Sequence, residues 1–166
     1  MLNLETDIQQ FTDTFYYERG LLFKKDKLDK PVGSFDKSSG YYRLKYKNKS
    51  YLNHRIIFAL VYGYLPKYVD HIDRDKLNNL AENLREATKS QNVVNSRVRC
   101  DNPYKLKGVT FHKASGKYVA QSFTKNKRVH IGLFLTPEEA GKAYDKKALE
   151  LFGDFAVLNY PVVPYN

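Results

Sequence analysis

The alternation of apolar and polar residues predicts that the first third of the chain is mostly β structure. Runs rich in aromatic and branched side chains lie between residues 15 and 51, and turn-forming residues separate them. Short runs bounded in this way are typical of antiparallel strands. The pattern then changes to helical spacing over residues 53–62, with Asn53 as the expected N-cap and Gly63 as the expected end.

The segment 69–92 is dominated by polar side chains. A short apolar run predicts a strand, a stretch rich in aspartate and asparagine predicts a loop, and residues 84–87 predict a second strand. Thr88 and Gln91 have the spacing of a capping box, so a helix is expected to begin near Lys89. Strand, loop, strand and helix are therefore expected to follow one another.

Oxygen ligands and one imidazole are the metal-binding groups of this segment, and it contains no cysteine. Its candidate site residues are Asp70, His71, Asn83 and Asn92. Carboxylate and amide oxygens suit Mg²⁺ or Mn²⁺ better than a structural zinc, which prefers thiolates in a closed tetrahedron.

The C-terminal third has a second strand-rich pattern. Runs at residues 108–112, 117–123 and 128–134 are separated by short turns, the second of them at 124–127, and they predict an antiparallel meander. A Thr-Pro-Glu-Glu sequence at 136–139 then predicts the beginning of a helix. The helix would carry an apolar stripe that includes several alanines, which allow a close approach to the sheet.

The two patterned regions imply two domains of an α+β protein. Periodicity is lost near residue 100, where Asn102-Pro103 is a turn signal. Strands and a strand–loop–strand–helix unit are expected first, followed by a three-stranded antiparallel sheet packed on one helix. The expected divisions are a first domain at 1–98 with the unit at 68–97, a linker at 99–104, a second domain at 105–161 and a tail at 162–166.

The charge balance favours a polyanionic partner. The chain has 28 Lys and Arg against 18 Asp and Glu, a net charge of +10, and the excess is spread over the whole length. Nucleic acid is the first candidate and an acidic membrane surface the second, with a basic protein lacking such a partner as the alternative. The even spread favours a long groove or several contact surfaces over one basic tail.

Cysteine content and hydropathy bear on location. Cys100 is the only cysteine, so no internal disulfide is possible. Residues 1–7 lack a basic and an apolar region, so no signal peptide is expected, and no apolar run reaches the length of a membrane span. A cytoplasmic location and no membrane partner are therefore expected.

The segment 69–92 resembles the HNH endonuclease motif, the ββα-metal finger of homing and phage nucleases, in its His-Asn-Asn form. The resemblance rests on Asp70-His71, with Asn83 twelve residues after His71 and Asn92 nine residues further on. Further matching residues are Asn78-Asn79, Glu82-Asn83-Leu84-Arg85 and the upstream Asn53-His54-Arg55.

The resemblance implies a role for each matching residue. Asp70 and Asn92 would hold one divalent cation, Mg²⁺ or Mn²⁺, at the scissile phosphate and the leaving 3′ oxygen. His71 would take a proton from the attacking water. Asn83 would stay off the metal, tie the loop together and fix the orientation of His71.

His54 and Arg55 stand at the start of the predicted helix, where terminal amide groups favour anions. By resemblance this pair supports the nuclease site and its phosphate. Capping the helix end is an equal alternative for the two side chains.

Residues 105–161 resemble the plant apetala-two/ethylene-response-factor DNA-binding domain. The matching sequences are Lys107-Gly108-Val109, Gly116-Lys117-Tyr118-Val119-Ala120, Ile131-Gly132-Leu133-Phe134, Glu138-Glu139-Ala140, Ala143-Tyr144-Asp145 and Ala156-Val157-Leu158-Asn159-Tyr160-Pro161. In that family the sheet enters the major groove of DNA. The resemblance assigns DNA contacts to Lys107, Thr110, His112, Lys117, Gln121, Phe123, Arg128 and His130.

Together these features predict a metal-dependent DNA endonuclease of a phage or mobile element, such as a homing endonuclease, acting in a bacterial host cell if phage-encoded. It would nick or cleave double-stranded DNA at a recognised site. Two alternatives remain: a DNA-binding regulator that keeps the HNH fold without activity, and an RNA-binding protein, for which no aromatic signature stands out. A monomer and a homodimer are both open.

Overall fold

The computed structural model describes residues 4–124 and 127–161. Within these ranges the chain is a mixture of four α-helices and several small antiparallel sheets. It divides into two compact units between Ala87 and Thr88. The α+β class expected from the sequence is confirmed at this level. None of the helices described is both long enough and apolar enough to cross a membrane.

The first unit combines two helices with short strands. They are α1 (Leu4–Thr14), β1 (Phe15–Glu18), β2 (Leu21–Lys24), β3 (Lys27–Pro31), β4 (Ser34–Asp36), β5 (Tyr41–Tyr46), β6 (Lys49–Leu52), α2 (Asn53–Tyr62), β7 (Tyr68–His71) and β8 (Leu84–Ala87). In the part of the chain described, the strands form antiparallel sheets in the orders β1-β2-β3, β4-β5-β6 and β7-β8. The β structure predicted for residues 15–51 is confirmed.

Helix α2 supplies the centre of the first unit's core. Ile56 and Ile57 are completely buried, and they belong to one cluster with Phe11, Phe15 and Leu22. Burying a large apolar side chain contributes roughly 1.5–3 kcal/mol, so this cluster holds α1, α2 and the first sheet together.

The two ends of α2 differ in how well the sequence predicts them. Gly63 ends the helix in the left-handed region at φ 75°, and its N–H donates to the carbonyl of Ala59, so this prediction is confirmed. The prediction of Asn53 as N-cap is wrong, because the N-cap is Leu52. The Asn53 amide instead donates to the carbonyl of Val32 at 2.8 Å, which ties the helix to the preceding strands.

Strands β7 and β8 form a hairpin with a long polar connection. Asp70 lies opposite Arg85, and His71 lies opposite Leu84. The connection ends in a 3₁₀ turn (Ala81–Asn83) directly before β8. The predicted order of strand, loop and strand is therefore confirmed, and it places an Asp-His pair where the first strand leads into the loop.

The second unit contains two helices and one sheet among the residues described. They are α3 (Lys89–Asn95), β9 (Val109–His112), β10 (Lys117–Thr124), β11 (Lys127–Phe134) and α4 (Pro137–Phe152), followed by a 3₁₀ turn (Gly153–Phe155). The antiparallel order is β11-β10-β9, as the predicted meander requires. Both predicted capping boxes are formed, by Thr88 with Gln91 and by Thr136 with Glu139. The predicted turn at 124–127 includes residues 125 and 126, which lie outside the described residues.

Small residues bring α4 close to this sheet. Ala140 and Tyr144 of the helix pack with Val109 and Ala120 of the strands. Gly108 precedes β9 at φ 73°, and a Cβ atom built there would overlap the Tyr144 ring. Glycine is therefore required both by the backbone conformation and by the packing.

The units divide earlier than the sequence predicted, between Ala87 and Thr88 rather than after residue 98. Helix α3 accounts for the difference, because it contacts α4 and the 3₁₀ turn that follows α4. A local sequence pattern shows where a helix begins, but the partner against which its apolar face packs is set by residues far along the chain.

Candidate functional site

Asp70 is held at the edge of the β7–β8 loop by an ion pair. Asp70 is only 4% exposed, and its Oδ2 atom accepts a hydrogen bond from Nε of Arg85 at 3.0 Å. The two residues are direct cross-strand neighbours, so the hairpin register brings them together. The arrangement fixes the direction of a carboxylate inside a nearly closed site.

His71, the next residue, has its ring orientation set by Asn79. The imidazole is 4% exposed, and its Nε2 atom lies 3.0 Å from Oδ1 of Asn79. An amide oxygen accepts but does not donate, so the hydrogen of the neutral ring lies on Nε2. The lone pair that can accept a proton is then on Nδ1.

Three rings meet around this histidine. The ring centroids of His54 and His71 lie 4.8 Å apart, and the ring of Tyr41 lies 5.1 Å from His54 and 5.9 Å from His71. Burial, followed by the charges of His71 and Arg55, lowers the pKa of His54 to about 3. His54 is therefore a neutral packing partner of His71 at neutral pH.

Asn83 organises the loop through its side chain. Its Oδ1 atom accepts from the backbone N–H of Asp73, and its amide nitrogen donates to Oδ1 of Asp73 and to the carbonyl of Asn78. The resemblance also implied that Asn83 orients His71, but the ring nitrogen Nε2 donates its hydrogen bond to Oδ1 of Asn79. Asn79 belongs to the sequence that matches the HNH motif, but the resemblance implied no function for it. Only the folded loop shows which asparagine reaches the ring.

Arg55 makes two hydrogen bonds to backbone carbonyls outside its own helix. Its guanidinium group donates to the carbonyls of Lys67 and Pro66, both at 2.9 Å. These bonds fasten α2 to the segment that leads into β7. The expected support of a phosphate by Arg55 stays a prediction, while His54 lines the site.

Asn92 lies in the first turn of α3, within the second unit. Its backbone N–H donates to the carbonyl of Thr88, as expected of a first-turn residue. Among residues 4–124 and 127–161, no three His, Cys, Asp or Glu side chains are grouped as a metal site. The expected set of Asp70 and Asn92 is an oxygen set, and its hard donors fit Mg²⁺ or Mn²⁺. Their joint role at a metal stays a prediction.

The second unit presents most of the predicted DNA contacts on one sheet face. Cross-strand pairs join Lys117 with His112, Gln121 with His130 and Phe123 with Arg128. Residues directly opposite in an antiparallel sheet share a face, and here it is the face away from α4. The predicted residues on this face are Thr110, His112, Lys117, Gln121, Phe123, Arg128 and His130.

This face combines basic and aromatic groups around a shallow groove. The guanidinium of Arg128 lies over the ring of Phe123, 5.8 Å from its centroid. Phe123 is 47% exposed although it is a large apolar residue. Exposed aromatic and basic groups on one flat surface have the chemistry needed to contact bases and phosphates.

Lys107 is the exception among the eight predicted contacts. Its ammonium group donates to the carbonyls of Val94 and Ser96 at the C-terminal end of α3. A cation at this position is stabilised by the unpaired carbonyls and the dipole of a helix C-terminus. These bonds fasten α3 to the sheet module, and the DNA contact of Lys107 stays a prediction.

A comparison with protein families finds a match for the segment that contains the loop site. Residues 51–94 match the family model described as HNH endonuclease. The match begins before α2 and ends within α3, so it includes Asp70, His71, Asn83 and Asn92. The HNH resemblance of this segment is confirmed.

Individual relatives extend this result. An uncharacterized HNH endonuclease of Acanthamoeba polyphaga mimivirus is 42% identical over 110 residues, which are 64% of this chain and 56% of that protein. An AP2-like ethylene-responsive transcription factor of Arabidopsis thaliana is 32% identical over 82 residues, 43% of this chain and 26% of that protein. APETALA2-like protein 2 of Oryza sativa subsp. indica is 39% identical over 64 residues, 37% of this chain and 14% of that protein.

The chain thus spans about half the length of the viral relative, 56%, and a smaller share of the plant proteins, 26% and 14%. The plant matches are shorter and less extensive than the viral match. The apetala-two character of the second unit is accordingly weakly suggested by these relatives.

Proposed function

We propose that this protein is a metal-dependent DNA endonuclease of the HNH type that nicks or cleaves duplex DNA at a recognised site. The observation that supports it most directly is the adjacent Asp70-His71 pair at the end of β7, in which Asn79 fixes the ring of His71. This pair lies inside the segment that matches the HNH model.

His71 is the general base of the proposed reaction. With the hydrogen on Nε2, Nδ1 takes a proton from the water that attacks the phosphorus atom. The hydrogen bond from His71 to Asn79 and the contacts with His54 hold the ring while the proton moves. The neutral state of His54 avoids a second positive charge against the imidazolium that forms.

Asp70 and Asn92 are the proposed ligands of one divalent cation, Mg²⁺ or Mn²⁺. When bound, the cation supplies positive charge at the scissile phosphate and at the leaving 3′ oxygen. Asp70 contributes a buried carboxylate whose orientation Arg85 fixes. Asn92 contributes a neutral oxygen, so the charge of the protein's ligand set stays low.

The sheet of the second unit locates the DNA in this proposal. Arg128 and Lys117 lie on its outer face, where basic side chains can meet phosphates. Gln121 and His130 are paired at the middle of the same face and are suited to base edges. A three-stranded sheet of this kind is narrow enough to enter the major groove.

The number of sites determines the expected product. Each chain has one Asp70-His71 pair, so a monomer would break one strand and leave a nick. A homodimer would present two such pairs and could break both strands.

Supercoiled plasmid tests the proposal directly. The purified chain with Mg²⁺ is expected to convert the plasmid to open circles or linear DNA, whereas EDTA or His71→Ala is expected to prevent conversion. A parent protein that leaves the plasmid intact with Mg²⁺ and with Mn²⁺ would overturn it.

The ion pair of Asp70 with Arg85 favours one second function. It neutralises the carboxylate that a cation needs, which is the arrangement expected of a DNA-binding regulator that retains the HNH fold without activity. Such a regulator would bind duplex DNA in a mobility-shift assay and would not nick it under any divalent cation.

A further inference from the structure

Tyr41 reaches the candidate site from outside the segment that matches the HNH model. It begins β5, whereas the match begins at residue 51. Its ring nevertheless lies 5.1 Å from the ring of His54 and 5.9 Å from the ring of His71, tilted by 35° and 34°. The three centroids form a triangle with sides no longer than 5.9 Å, which is within the range of attractive aromatic contacts.

Tyr41 and its neighbour Tyr42 lie on opposite faces of β5, because successive residues of a strand alternate. Tyr41 contacts the rings of His54 and His71, which are both 4% exposed. Tyr42 is 37% exposed and packs on Phe35, with 5.9 Å between ring centroids.

Tyr41 also contacts Lys76, which belongs to the loop between β7 and β8. The ammonium group of Lys76 lies 4.6 Å from the centroid of the Tyr41 ring and donates to the carbonyl of Ser39 at 2.9 Å. These contacts join the loop between β7 and β8 to the turn before β5. Burial raises the pKa of the Tyr41 phenol, and the negative charge of Asp70 adds to this rise.

We propose that Tyr41 is a positioning residue that fixes the orientation of the His71 imidazole. The hydrogen bond to Asn79 restrains the Nε2 edge of the ring. The contacts with the rings of Tyr41 and His54 restrain its tilt. This role rests on the proposed nuclease function, because Nδ1 of the oriented ring is the proposed general base. Small misplacements of reacting groups are costly, about 100-fold in rate for 1 Å.

Cleavage kinetics with three full-length variants test the role. Tyr41→Leu removes the ring, Tyr41→Phe keeps the ring without the hydroxyl, and Tyr42→Leu is a matched change on the other face of β5. We expect Tyr41→Leu to lower kcat about 10- to 100-fold at unchanged KM, in line with other orienting residues. Tyr41→Phe and Tyr42→Leu are expected to keep kcat within about threefold of the parent value, which is well under the tenfold minimum loss expected for Tyr41→Leu.

Three kinetic outcomes overturn the proposal. Tyr41→Leu with the parent kcat shows that the ring is not needed. A loss in Tyr41→Phe equal to that in Tyr41→Leu assigns the effect to the hydroxyl rather than to ring packing. A fall in thermal midpoint that brings the assay temperature into the unfolding transition, with kcat restored on cooling, shows a purely structural role.

Histidine ring signals test the orientation independently of cleavage. The chain has four histidines, so labelling histidine with ¹⁵N and ¹³C gives four imidazole systems for NMR. Tyr41→Leu is expected to shift the signals of His71 and His54 and leave those of His112 and His130, in the second unit, unchanged. Unchanged His71 signals overturn the proposal. A parent that does not cut DNA but whose His71 signals respond to Tyr41→Leu overturns the nuclease function and supports the positioning role.

Discussion

The Nε2 atom of His71 lies 3.0 Å from the Oδ1 atom of Asn79, in a place where both residues are at most 5% exposed. This contact decides which ring nitrogen is basic, because the asparagine oxygen requires the hydrogen to be on Nε2. It also joins the end of β7 to the far part of the loop, eight residues along the chain. One hydrogen bond therefore sets both the tautomer of the proposed base and the closure of the loop.

Replacing Asn79 is expected to slow cleavage without weakening DNA binding. In Asn79→Ala the ring loses its restraint and its preferred tautomer, and we expect kcat to fall about 10- to 100-fold, as is usual when an orienting partner is lost. Asn79→Asp keeps an acceptor for Nε2 and is expected to retain more activity than the alanine variant. Plasmid nicking rates and fluorescence titration of duplex DNA measure the two effects.

Asn78→Ala provides the matched control for this prediction. The Asn78 side chain donates to Asp73 and accepts from the N–H of Leu80, with no hydrogen bond to His71 among the described contacts. It is expected to lower stability more than rate. Equal rate losses in both asparagine variants would show that the loop as a whole, and not the contact with His71, controls cleavage.

Removal of the base itself should have the larger effect. His71→Ala is expected to lower the cleavage rate by about two to four orders of magnitude, the usual contribution of general-base catalysis. Duplex binding is expected to stay near that of the parent, because the proposed recognition face lies in the second unit. If His71→Ala nicks plasmid as fast as the parent, the histidine has a structural role.

Replacing the two proposed metal ligands is expected to affect cleavage to different extents. Asp70→Asn removes the only charged member of the proposed set and is expected to abolish Mg²⁺-dependent cleavage. Asn92→Ala is expected to raise the Mg²⁺ concentration needed for half-maximal rate, because a neutral ligand is replaced more easily by water. Full activity in either variant, or inhibition of the parent by a zinc-selective chelator alone, would contradict the assignment.

The buried state of His54 predicts loss of stability in acid. The unfolded chain binds a proton on this imidazole below pH 6.5, its ordinary pKa, whereas the folded chain binds it only near pH 3. The free energy of unfolding is therefore expected to fall as pH falls through this window, by about 1.4 kcal/mol per pH unit from this group. Urea unfolding of the parent and of His54→Phe between pH 7 and pH 4 measures the difference. If the free energies of unfolding of the two proteins change in parallel with pH, the pKa of His54 is the same in the folded and the unfolded chain.

Much of the local structure follows from short-range signals in the sequence. The capping boxes of Thr88 and Thr136 and the Gly63 stop each depend on residues within one turn of the chain, and all three occur as predicted. Alternation alone places the predicted DNA-contacting residues of the second sheet on one face.

Two contacts that the sequence did not predict join residues far apart along the chain. The Asn53 amide bonds Val32, twenty-one residues away, and the ammonium group of Lys107 bonds Val94, thirteen residues away. For Asn53 the local signal predicted a cap, and a tertiary partner displaced that role, because a partly buried polar group gains more from a fixed carbonyl than from solvent. Tyr41 was missed for the same reason.

The last prediction separates a DNA contact from a structural lysine on the same module. Arg128→Ala is expected to weaken binding of duplex DNA for all sequences and to lower the slope of log affinity against log salt by about one, as loss of one phosphate contact does. Lys107→Met is expected to leave this slope unchanged and to lower the free energy of unfolding, because its ammonium group is bonded to the carbonyls at the end of α3. Both variants remove one positive charge, so they are matched in net charge. Titrations at several salt concentrations decide between the roles. A slope equal to the parent's in Arg128→Ala would mean that Arg128 makes no phosphate contact, and a lowered slope in Lys107→Met would mean that Lys107 makes one.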